Sequence, residues 1–80
     1  DLDAHYRKTL AHITAGEPVP AVRADLKAQV LTAGFRAVDY ADLRDAATLE
    51  DVAVYDGRAA RLLVAAHIGK ARLIDNVAVG

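Results

Sequence analysis

The sequence has 80 residues, a hydrophobic fraction of 54% and a net charge of -1 at pH 7. That allows one domain with a small core, argues against disorder, and leaves no electrostatic footprint for nucleic acid or an anionic membrane. Cysteine is absent, which excludes a disulfide framework, a thiolate zinc site and a cysteine nucleophile, and no apolar run approaches the ~20 residues of a membrane span.

The opening Asp1-Leu2-Asp3 is neither a signal peptide nor an initiator methionine, and reads as the start of a fragment. Leu2 to Ala15 is predicted as an amphipathic helix. Leu2, Tyr6, Leu10 and Ile13 repeat at helical spacing on one face, leaving His5, Lys8 and His12 largely to solvent. Asp1 or Asp3 supplies the cap, and Gly16 the stop, ahead of Glu17-Pro18-Val19-Pro20. Pro20 opens a second helix at its first position, with Val22, Leu26, Val30 and Ala33 inward and Arg23, Asp25 and Lys27 mostly on the wet side. Gly34 closes it, and Phe35 folds back on Val30 in a Schellman-type stop. The short proline-bearing link makes the two helices antiparallel neighbours.

Ala37 to Arg44 is predicted as a strand, with Ala41 and Leu43 on one face and Tyr40 and Asp42 on the other. Val38 falls on the Tyr40 side and spoils the alternation, so pattern alone leaves a helix open here. Asp45 to Arg58 is a connection. Asp45 caps one turn over Ala46-Ala47-Thr48, Leu49 plugs that turn into the core, Val52 to Val54 adds a short strand, and Asp56-Gly57 is a turn. The unbroken run Leu62 to Ala66 reads as a buried central strand. Gly69-Lys70 suits a type II′ hairpin turn, and Arg72 to Asp75 returns as a shorter, charge-bounded edge strand. Leu63 and Ile74 are assigned to the core. The expected fold is α+β: two N-terminal helices followed by a three-stranded, mainly antiparallel sheet, α-α-β-β-β. Residues 1-80 form one domain, with helices on one sheet face and the other short of cover.

Little of the chain offers chemistry by itself. His67-Ile68-Gly69-Lys70 looks like the start of a His-x-Gly-His nucleotide signature. Its fourth residue is lysine, however, and no helix follows, so a hairpin end is the better reading. His5 and His12 stand seven residues apart, ~10 Å along a helix, too far to chelate one zinc ion. Asp39, Asp42, Asp45, Glu50 and Asp51 make the middle acidic, which suits solvated strand and loop charges better than an acid–base pair. There is no glycine-rich phosphate loop and no serine. Arg44, Asp45, Arg72, Asp75 and Asn76 remain as candidate domain-docking residues, weighed against edge-strand charges and turn bonding.

Two blocks carry a family resemblance. VDYADLRDAATLE, and then LLVAAHIGKARLIDN, resemble the C-terminal domain of pantothenate synthetases. The matching residues are Asp39, Tyr40, Leu43, Arg44, Asp45, Ala46, Thr48 and Leu49, then Leu63 to Ala66, Gly69 and Arg72 to Asn76. The likeness extends more weakly through the two helices, and RLIDN is its specific part. It implies an ATP-dependent acid–amine ligase that condenses pantoate with β-alanine through a pantoyl-adenylate, with magnesium, in the cytoplasm. In such enzymes a Rossmann-like N-terminal domain carries the nucleotide motifs and the dimer contacts, and the C-terminal domain is a hinged lid. Neither N-terminal motif is in this sequence. The resemblance therefore assigns no catalytic, cofactor-binding or metal residue to this chain, and leaves ATP, magnesium and homodimerisation to the parent enzyme. The alternative is a freestanding protein-interaction module without catalysis.

Overall fold

Helix α1 spans Asp3–Thr14 and α2 spans Val19–Thr32; the structure, a computed structural model, describes residues 2–80. Both helices stop the same way. Gly16 and Gly34 stand just past the C-caps, Glu17 N–H reaches His12 O, and Phe35 N–H reaches Val30 O; this is the Schellman closure read from the sequence for the second helix, and the first closes in the same way. The starts differ from expectation. Leu2, not an aspartate, occupies the first N-cap with no side-chain cap bond. Asp3 sits in the first turn, where its charge meets the helix dipole, and Asp1 lies outside the described residues. Helix α2 begins at Val19, one residue before Pro20, because Pro18 O accepts the first helical bond, from Val22 N–H; Val19 is also a core residue at 1% exposure.

The inward faces carry Leu2, Tyr6, Thr9 and Ile13 on the first helix and Val19, Val22, Leu26 and Val30 on the second. Leu10 packs at the margin of this core. Ala33 is exposed, since the helix has ended before it. His5 and His12 are half-buried rather than solvated. His5 Nδ1 donates to Gln29 Oε1 on α2 at 2.8 Å, and His12 closes on Glu17 across the helix stop.

Strands β1 (Ala37–Asp45), β2 (Ala60–Ile68) and β3 (Ala71–Val79) form an antiparallel sheet in that order. β2 is central, as its apolar run requires. β3 is as long as β2, not shorter, because Val77 and Val79 extend the pairing back to Leu62 and Ala60. The hairpin closes between Ile68 and Ala71. Gly69 has φ 56°, while Lys70 keeps a negative φ, the combination of a type II′ turn.

The irregular parity of β1 has a structural cause. Val38 pairs with Ala66 and Tyr40 with Ala65, so Asp39 is an extra residue, a β-bulge. The bulge puts Val38 back on the face of Ala41 and Leu43, against the core. Cross-strand partners share a face. The helix-side face is therefore built from Val38, Ala41 and Leu43, then Ala60, Leu62, Val64 and Ala66, then Leu73, Val77 and Val79.

The connection after β1 departs from expectation at its plug. Leu49 is 59% exposed with φ 62°. Val52 fills the core instead, at 6%, held by its N–H to Leu43 O. No strand forms over Val52 to Val54; a single bridge pairs Asp51 with Arg44.

Candidate functional site

The helices cover one face of the sheet, and the opposite face is bare. Its rows follow from the register: Tyr40, Ala65 and Ile74; Asp42, Leu63 and Asn76; Arg44, Arg61 and Ala78. Ile74, expected in the core, is 59% exposed here, and Leu63 is only half-buried. Both point away from the helices because they alternate with Val64 and Leu73. Ala65 is fully buried on this same face, shielded between Tyr40 and Ile74.

One end of the face is closed by the bulge. Asp39 Oδ2 accepts from His67 Nε2 at 2.9 Å and from Arg72 Nε at 3.0 Å, tying all three strands. The His67 bond, then the Arg72 bond, hold the Asp39 carboxyl below the usual aspartate range. Arg36 joins this corner by donating its Nε to Gly69 O. At the other end Asp42 takes Arg23 Nη2 at 2.8 Å and Arg44 Nη2 at 3.2 Å, and Arg61 donates to Asn76 Oδ1. Arg23, assigned to the wet side of α2, instead wraps the β1 edge and also donates to Ala41 O at 2.7 Å.

The five candidate docking residues do not form one group. Arg44 and Asn76 share an end of the bare face, and Arg72 stands at the opposite end. Asp45 and Asp75 belong to rows that face the helices. Asp45 accepts from Ala47 and Thr48 N–H and pairs with Arg58, so it builds the turn after β1. The Thr48 and Ala47 bonds hold its carboxyl below the usual range. Asp75 accepts the Tyr6 hydroxyl at 2.5 Å. Burial, and then that bond, push the Tyr6 phenol above its ordinary range. Leu2, Asp3, Tyr6, Leu73, Asp75 and Val77 line a cleft of about 390 Å³ between α1 and β3. Sequence reasoning did not join Asp39 to His67 and Arg72, kept Arg23 on the wet side and placed Ile74 in the core. The break in alternation at Val38 signalled the bulge at Asp39 and none of the others.

Among the described residues no group of three or more His, Cys, Asp or Glu side chains could hold a metal ion, and no helix is long and apolar enough to cross a membrane. The family model described as pantoate-beta-alanine ligase matches residues 4–78. The chain belongs to the pantoate-beta-alanine ligase family. A pantothenate synthetase of Novosphingobium aromaticivorans is 58% identical over 99% of the chain and 28% of its own length. Those of Rhodopseudomonas palustris and Dinoroseobacter shibae are 47% and 42% identical, over 91% and 92% of the chain and 25% and 26% of theirs. The chain thus spans about a quarter of the ligase relatives it matches. No solved structure matches it.

Proposed function

We propose that this chain is the C-terminal lid of a pantothenate synthetase, an enzyme that condenses pantoate with β-alanine to pantothenate through a pantoyl-adenylate, using ATP and magnesium. The observation that carries this is a near-complete match to a quarter of a ligase, joined to a sheet with one bare face. Forming an adenylate needs donors preorganised around a triphosphate, since charge stabilisation dominates such transfers. Three of the mid-chain carboxylates here are committed otherwise. Asp42 is held by Arg23 and Arg44, Asp39 by His67 and Arg72, and Asp45 by its own turn. This supports a division of labour in which the rest of the parent enzyme holds nucleotide and metal. The lid then excludes water and completes the site by closing.

A transplant tests the reading. The 80 residues replace the matching segment of the Novosphingobium aromaticivorans enzyme, and AMP release is measured with ATP, pantoate and β-alanine. The chimera is expected to turn over, whereas the chain alone releases no AMP and shows no ATP binding by calorimetry. An inactive but folded chimera would refute the lid assignment and favour a freestanding interaction module. Turnover by the chain alone would reveal a complete active site within it.

A further inference from the structure

The bare sheet face is specific enough to define what covers it. We propose that Tyr40, Leu63, Ala65 and Ile74, with the basic corner of Arg36, Lys70 and Arg72, dock the remainder of the parent ligase chain. The surface they meet is apolar at its centre and carries carboxylates beside the β2–β3 turn. This rests on the lid reading above and adds to it which face is used and what chemistry receives it.

Three observations support the choice. The apolar residues are contiguous across the strands, since Tyr40, Ala65 and Ile74 form one row and Leu63 adjoins it in the next. A large side chain left 59% exposed at the β3 end of such a row, next to half-buried Leu63 and Tyr40, is the pattern of an interaction surface. The ends then fix polarity. At the bulged end Asp39 is the carboxylate bonded to His67 and Arg72. Arg36 spends only its Nε on Gly69 O, and Lys70 is exposed beside them. The corner therefore carries excess positive charge that calls for carboxylates on the partner. At the other end Arg23, Arg44 and Arg61 stand against Asp42 and Asp51, an excess of one positive charge where the bulged corner sets Arg36, Lys70 and Arg72 against Asp39 alone, so the demand for carboxylates is stronger at the corner. Finally, most of the length of the matching relatives lies outside this chain and would be covalently tethered to it. Tethering gives the remainder of the chain a high effective concentration over any free partner.

The absence of cysteine makes the test direct. A single thiol is placed by Ile74→Cys, and by Ala28→Cys on the exposed side of α2 as a control. Each variant is labelled with a maleimide, as the 80-residue chain and as the chimera, and modification of that peptide is followed by mass. Thiol labelling follows access, so the Ile74→Cys site should react about tenfold or more slowly in the chimera, and the Ala28→Cys site equally in both. Adding Lys70→Glu should restore part of the lost Ile74→Cys reactivity by placing like charges at the interface. Equal Ile74→Cys rates in an active chimera would overturn this face while leaving the lid reading intact. Protection of Ile74→Cys in the chain alone that grows with concentration would overturn it in favour of a second copy. Unaltered protection after Lys70→Glu would remove the carboxylate-bearing partner from the proposal.

Discussion

Replacing Leu62 by alanine tests the assignment of the two sheet faces. Leu62 is fully buried in the central strand, between Leu43 on β1 and Val77 on β3. The substitution removes three carbon atoms, worth roughly 2.4 kcal/mol at about 0.8 kcal/mol each. A residual cavity raises the cost within the ~2–5 kcal/mol span of such truncations. A core of this size supplies only about 3–5 kcal/mol in all, so Leu62→Ala should consume most of it. At ~4–8 °C per kcal/mol for a domain this small, a loss of about 3 kcal/mol lowers Tm by about 12–24 °C. Leu62→Val gives a graded measurement if the alanine variant does not fold. On the bare face, Ile74→Thr keeps a β-branched side chain at a position 59% exposed. It should shift stability by no more than about 0.5 kcal/mol. Urea melts followed by circular dichroism report both. Comparable losses at the two positions, or a larger loss at Ile74, would refute the facing deduced from the register.

Three further outcomes are expected. Gly69→Val should cost about 1–2 kcal/mol in the same melts, because φ 56° is unfavourable for a side chain, while Lys70→Val should cost clearly less; the reverse order would rule out the type II′ turn. The raised Tyr6 phenol makes its contribution to stability fully present below the ordinary tyrosine pKa of about 10, and lost as pH rises beyond it. Tyr6→Phe should therefore be less stable at neutral pH and show a shallower alkaline decline, and an unchanged alkaline limb in pH-resolved melts would contradict the Tyr6–Asp75 bond. For Asp39, whose carboxyl is lowered chiefly by His67, the stabilising effect is present above the ordinary aspartate pKa and fades as pH falls through the lowered one. Carbon-detected NMR titration should find the Asp39 pKa rising in His67→Ala and rising further once Arg72 is also replaced; no movement in either would dissolve the three-strand clamp.

Much of this protein is local, and local features are legible. Two glycine stops with a hydrophobic latch, a Gly-Lys hairpin turn, an aspartate-capped turn after β1 and an apolar central strand each follow from rules that reach only a few residues. They carried the element order, the strand order and, through RLIDN and its upstream block, the family. The facing of each strand was another matter. Leu62 to Ala66 is apolar throughout, so β2 shows no alternation to read. In β3 one face carries Leu73, Asp75 and Val77 and the other Arg72, Ile74 and Asn76, so each has at least one polar residue. Asp75 faces the helices, where Tyr6, 69 residues away in sequence, supplies its hydrogen bond. Likewise Asp39 leaves the alternation as a bulge and Arg23 leaves the wet side of its helix, each drawn to partners on distant segments. Period and propensity settle which residues share a face of one element; which face meets the core is settled by the hydrogen-bond and charge partners that only the assembled fold brings within reach.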